Sequence, residues 1–244
     1  MTKARKFVFS ILTCILATPS LHAEVQRGEY VCGGLSSAAS GVDFGPFDYR
    51  SPPAEKLKMV QTFHFSPNVE SLRRGQSGSI LGTDIDFTLR YFPNHTRALN
   101  SMVKLAQREK TNQPNGSRYS VDCWFDRAVR FAPDDAQVSI LYGFWLLKKG
   151  ERVLAIEQFE KVSAAETRTG NVAYNLGLGY FEAREYDKAL IAAHEAYAAG
   201  FSLPGLRNKL KNAGKWRDPV IESGAKAAEA TVTPANPQAN EEKP

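Results

Sequence analysis

Gly143 and Gly177, Ala155 and Ala189, and Lys149 and Ala183 all stand at one interval, 34 residues, in the second half of this 244-residue chain. That period marks an array of helical hairpins, because a single hairpin cannot bury its apolar face and must stack on its neighbours to share a core. The spacing predicts an all-α solenoid with a concave face suited to binding. Its small residues have a mechanical reason: glycine or alanine at a helix crossing lets two backbones approach, while Leu176, Tyr180 and Phe159 fill the space around them.

Two copies carry the pattern, residues 136–169 and 170–203. The second reads Ala173-Tyr174-Asn175-Leu176-Gly177, Tyr180, Tyr186-Asp187-Lys188-Ala189-Leu190 and Ala196, with Phe201 at its end. It resembles the tetratricopeptide repeat (TPR) almost throughout, except that Phe201 replaces the usual final proline. The first copy keeps Gly143, Ala155 and Phe159 but has Tyr142 for the usual leucine and Val162 for the late alanine. The resemblance implies a right-handed TPR-type helical-hairpin solenoid whose first helices line the concave groove. Ile140, Phe144 and Leu147 from one repeat, and Tyr174, Asn175, Leu178 and Phe181 from the next, are then the partner-binding candidates.

Earlier in the chain, Phe125, Ala128 and Pro133 stand where a preceding repeat carries its aromatic, alanine and proline. A helix over 119–131 follows, paired with one over 96–110, in which Leu99, Met102, Val103 and Ala106 recur at helical spacing. The polar loop 111–118 lengthens this degenerate repeat, about 94–135, by six residues. Residues 84–92 predict a further helix, with Asp84 as its cap and Asp86 favouring its N-terminal dipole; His95 falls in the turn before the next helix. Ser66-Pro67 predicts the start of a short helix ending at Gly75. The array then covers 66–216 and closes with a capping helix over 203–216, whose charged run Arg207 to Lys215 is its solvated face.

The ends of the chain set the compartment. Lys3, Arg5 and Lys6 precede an apolar run from Phe7 to Ala17 and a stretch ending Leu21-His22-Ala23, the three-part form of a secretory signal peptide over 1–23. A retained membrane anchor is the alternative, but eleven apolar residues fall short of the roughly 20 that span a bilayer. Cleavage takes 31 basic residues down by three, to 28, against 26 acidic ones, a net charge of +2. With no basic stripe among aromatics, nucleic-acid binding has no support. Residues 24–65, rich in Gly, Ser and Pro, read as an irregular N-terminal segment, and 217–244 as a disordered tail.

Export leaves Cys32 and Cys123 as one possible pair. An oxidising compartment favours their disulfide over two buried free thiols.

Beyond the generic repeat, Cys32, Gly45-Pro46-Phe47-Asp48-Tyr49-Arg50, the stretches 84–90 and 92–95, and Leu203-Pro204-Gly205-Leu206-Arg207-Asn208-Lys209-Leu210 resemble a family of exported proteobacterial TPR proteins of unassigned function. The expected role is a periplasmic scaffold or adaptor, extracellular placement being the variant, that holds a protein or peptide partner in an envelope process. The groove alternatively holds the chain's own Phe47 and Tyr49. No cofactor, metal or nucleophile signature is present. An enzymatic alternative would use His64, Asp84, Asp86 and His95 for hydrolysis or metal binding, although their spacing fits no ligand pattern.

Overall fold

The computed structural model describes residues 32–35, 45–165 and 168–219. The signal-peptide reading and nearly all of the tail reading lie outside these residues. The described residues form ten α-helices and no strand, an all-α architecture over that part of the chain. In order they are α1 (Ala54–Phe63), α2 (Pro67–Glu70), α3 (Leu81–Tyr91), α4 (Thr96–Glu109), α5 (Val121–Phe131), α6 (Ala136–Lys149), α7 (Arg152–Ser163), α8 (Gly170–Glu182), α9 (Tyr186–Ala198) and α10 (Gly205–Asn212). Helix α6 packs on α7 and α8 on α9, and the alternate helices α4, α6 and α8 also touch in succession.

Local chemistry sets the helix ends. Asp135 caps α6 by accepting from the backbone N–H groups of Gln137 and Val138, Ser120 caps α5 through Cys123, and Thr169 caps α8 through Val172. Each such bond satisfies a donor that has no partner inside its helix and contributes about 1 kcal/mol. Helix α6 stops at Gly150, with φ of 82°, and 34 residues later the equivalent turn is made by Arg184 at φ of 61°. A left-handed residue costs glycine nothing and arginine something.

Three sequence expectations change. Helix α1 lies inside the segment read as irregular, and the helix expected from Ser66 to Gly75 is the single turn α2. The capping helix is shorter than 203–216; Trp216 leaves it and sets its ring against His194 and Tyr197.

Two apolar cores follow one another along the chain. The first gathers Val60, Ile85, Leu89, Phe92, Leu99, Met102, Trp124 and Phe125; the second gathers Phe159, Leu176, Tyr180, Leu190, Leu206 and Leu210. Tyr142 packs against both and stacks on Phe125 at 5.0 Å between centroids. In the second core, a Cβ built on Gly143 would lie 2.2 Å from the Phe159 ring, and one on Gly179 would lie 2.6 Å from it. Phe159 is therefore gripped between the glycines of two successive hairpins. Gly177, one period after Gly143, meets Leu206 of α10 instead.

Polar and covalent ties hold the first core. Cys32 is bonded to Cys123, across 91 residues of sequence. Beside that bond, buried Arg127 donates to the carbonyls of Cys32, Gly33 and Gly34 and lies over the rings of Tyr119 and Trp124. The segment 45–50 acts as a strap. Phe47 N–H donates to Tyr91 O, Tyr49 N–H to Asn94 Oδ1, and Arg50 bonds both Asp48 and Asp134. Asn94 completes the knot by donating to Asp48 and to buried Asp135, the cap of α6. The Arg50 guanidinium and Asn94 amide hold the Asp48 carboxyl well below the usual carboxylate range.

Candidate binding groove

The helices α4, α6 and α8 present one face together, and a cleft of about 730 Å³ opens between them. Leu141, Phe144, Trp145 and Leu147 of α6 form its apolar floor with Val103 of α4; Asn100, Lys104, Gln107, Lys148, Arg152 and Glu182 form its edges. A second hollow of about 300 Å³ adjoins it, sharing Asn100, Leu141 and Phe144 and adding Gln137, Ile140 and Asn175. The Trp145 wall is fixed from behind. Its indole N–H donates to Asp122 Oδ1 at 2.7 Å, and Lys149 donates to the same carboxylate. Burial pushes Asp122 up, but the bonds from Trp145, Lys149 and Asn112 together hold it below its ordinary value.

Of the residues expected to face a partner, Ile140, Phe144, Leu147 and Asn175 line these hollows. Phe181 and Leu178 are half-buried against the second core, with Lys209 over the Phe181 ring. Tyr174 departs from the expectation. It lines neither hollow and packs on Phe201 at 4.6 Å, because α10 and the turn leading to it cover that end of α8. Phe47 and Tyr49 do not fill the groove either: Phe47 packs on Tyr91 and Phe92, and Tyr49 stacks on His95.

Sequence reasoning missed the contribution of α4. Helices α4 and α6 begin at Thr96 and Ala136, 40 residues apart. The same step carries Ile140, Phe144 and Leu147 back to Asn100, Lys104 and Gln107, all of which line the cleft. These polar residues look like a solvated face, so only the period, corrected for the six-residue insertion, reveals them.

The four residues of the enzymatic alternative serve different local structures. His64 Nδ1 lies 3.2 Å from Asp84 Oδ1, and its ring stacks on Phe87. Asp84 is not the cap of α3, which begins at Leu81; it is buried and accepts from the Gln76 N–H and the Ser79 hydroxyl, tying down the preceding turn. Asp86 pairs instead with Arg90 and Arg118. His95 is the cap of α4, accepting from the Ala98 N–H, and is fully buried beside Tyr49 and Phe65. Burial, with Arg97 next, pushes its imidazole down to about 4, so it is neutral at physiological pH. Among the described residues no three His, Cys, Asp or Glu side chains come together as a metal site.

Fold and groove together define an all-helical protein with an open cleft across alternate helices. Among the described residues no helix is long and apolar enough to cross a membrane. Compared with protein-family models, with curated proteins and with solved structures, the chain matches none.

Proposed function

We propose that this chain is an exported TPR-type repeat protein that works in the periplasm as a scaffold, holding an extended segment of another protein in the groove across α4, α6 and α8 as part of an envelope process. The observation that carries the reading is the cleft itself: an apolar floor of Leu141, Phe144 and Leu147, edged by side-chain amides, between helices that pack in alternate order. Bulky side chains of a partner suit the floor, and the amides suit its backbone groups. The 34-residue register and the gripping of Phe159 by Gly143 and Gly179 support the repeat type. The Cys32–Cys123 bond suits an oxidising compartment. Binding rather than catalysis is the activity proposed, since His64, Asp84, Asp86 and His95 each have a local structural task.

Affinity isolation from the native envelope tests this reading. The wild-type chain should retain one reproducible protein that Phe144→Glu, still folded by circular dichroism, fails to retain. Equal recovery by both chains would refute the groove as the site.

A further inference from the structure

The charges around the cleft are not evenly answered. Arg97 pairs with Glu70, Arg152 with Glu185 and the Ala183 carbonyl, and Glu182 with Lys209 at 3.0 Å. Lys104 of α4 and Lys148 of α6 line the same cleft, both exposed, and neither donates a hydrogen bond or forms an ion pair among the described residues. Two exposed ammonium groups thus border one apolar floor, neither bonded to a carboxylate, Lys104 sharing with Arg97 the attraction of Glu70. The chain also changes character along the groove. At equivalent repeat positions α4 offers Asn100, Lys104 and Gln107 where α6 offers Ile140, Phe144 and Leu147.

Resting on the scaffold reading above, we infer that the segment held in this groove is acidic: an extended stretch of protein carrying Asp or Glu beside bulky apolar side chains. The acidic group lies toward α4, between Lys104 and Lys148, and the apolar side chains lie on Leu141, Phe144 and Leu147. Charge complementarity speeds encounter and sets register, while the buried apolar anchors hold the complex. Asn100, Gln107 and Gln137 give the peptide backbone donors and acceptors along its length, and Asn175, whose NH2 is bonded to Asn171, adds an acceptor. An acyl chain has no use for four amides, which is why a peptide is favoured over an anionic lipid.

The test is selection from a random dodecapeptide display library on the oxidised, signal-free chain, followed by affinity measurement on synthetic peptides with blocked ends. Selected peptides should carry Asp or Glu within a few residues of Leu, Phe or Trp. Lys104→Gln/Lys148→Gln should weaken them at least tenfold, and their affinity should fall several-fold between 50 and 300 mM salt, roughly as two screened charges require. If the selected peptides lose nothing when their acids become amides, yet fail on Phe144→Glu, the acidic class is wrong while the groove stands. If nothing selected responds to Phe144→Glu, both readings fail. Oleate binding that the double lysine variant abolishes, without peptide selection, would overturn the proposal in favour of an anionic lipid. A second copy of the chain in the groove would show as a dimer in sedimentation that Phe144→Glu dissociates, and would also overturn it.

Discussion

In the C-terminal half, Phe159 is held by two glycines from successive hairpins, and the ties added to that packing are side-chain ion pairs between neighbouring elements, such as Arg152–Glu185, Lys188–Glu160 and Lys209–Glu182. In the N-terminal half, the 45–50 strap, the Asn94 knot, the Arg127 carbonyl cluster and a disulfide hold α1 to α5. The difference follows from sequence. Helix α4 begins the insertion-bearing repeat and packs far less closely on its partner α5 than α6 does on α7 or α8 on α9, and here distant polar and covalent ties stand in place of small-residue contacts. A regular repeat carries its own adhesive; an irregular one borrows it from elsewhere in the chain.

Breaking the covalent tie should have the largest effect. Closing 91 residues by a disulfide contributes about 4 to 5 kcal/mol in the chain-entropy account, so Cys32→Ser/Cys123→Ser should lose roughly that much. Hydrogen exchange should show the loss in α1 to α5 while α8 and α9 keep their protection. Uniform loss of protection would mean that the halves are one cooperative unit.

Emptying the glycine grip is the counterpart in the other half. Phe159→Ala removes a fully buried ring and should cost about 4 kcal/mol by urea denaturation, with exchange rising first in α7 and α8. If α3 and α4 open first, the two cores are not separable.

Acid should distinguish the halves without mutation. His95 is buried neutral, with its imidazole at about 4 in the folded chain against 6.5 when free. Between these values the unfolded chain binds the proton that the folded chain refuses, so stability falls as pH drops from about 6.5 to about 4 and is then insensitive to this group. The loss is about 3 kcal/mol. It belongs to the N-terminal half, and His95→Gln should remove most of the slope in a urea titration between pH 7 and pH 4.5. An unchanged slope would assign the acid sensitivity elsewhere.

The smallest effect compares the two clear repeats directly. Arg184 adopts the left-handed turn that Gly150 makes one period earlier. Relieving that cost offsets the added flexibility of the unfolded chain, so Arg184→Gly should stabilise by about 0.5 kcal/mol. A destabilised variant would show that Arg184 serves a role that its backbone angle conceals.

Much of the C-terminal fold was legible because Gly143, Gly177, Ala155 and Phe159 serve packing directly, and packing residues leave a period. The helix over 84–92 and the pair over 96–110 and 119–131 were legible in the same way, with ends off by a few residues. Helix α1 was not, since Val60 is its one buried residue and a helix that buries so little writes no apolar stripe. Asp84 was misread as a cap because Ile80 stands at that position and Asp84 reaches back to the preceding turn instead. At the groove, apolar candidates on α6 were recoverable, but Tyr174 was lost to the cover supplied by Phe201, which stands at the end of its own repeat in place of the usual proline, and by α10 beyond it. The polar wall on α4 hid behind the six-residue insertion.

The groove as the place of partner contact is the central claim, and site-specific photocrosslinking in living cells addresses it most directly. A photoreactive residue replacing Phe144 in the groove should give one reproducible adduct to another protein. The same probe replacing Val153, 69 % exposed on α7, should give none. Adducts from Val153 and none from Phe144 would contradict the account.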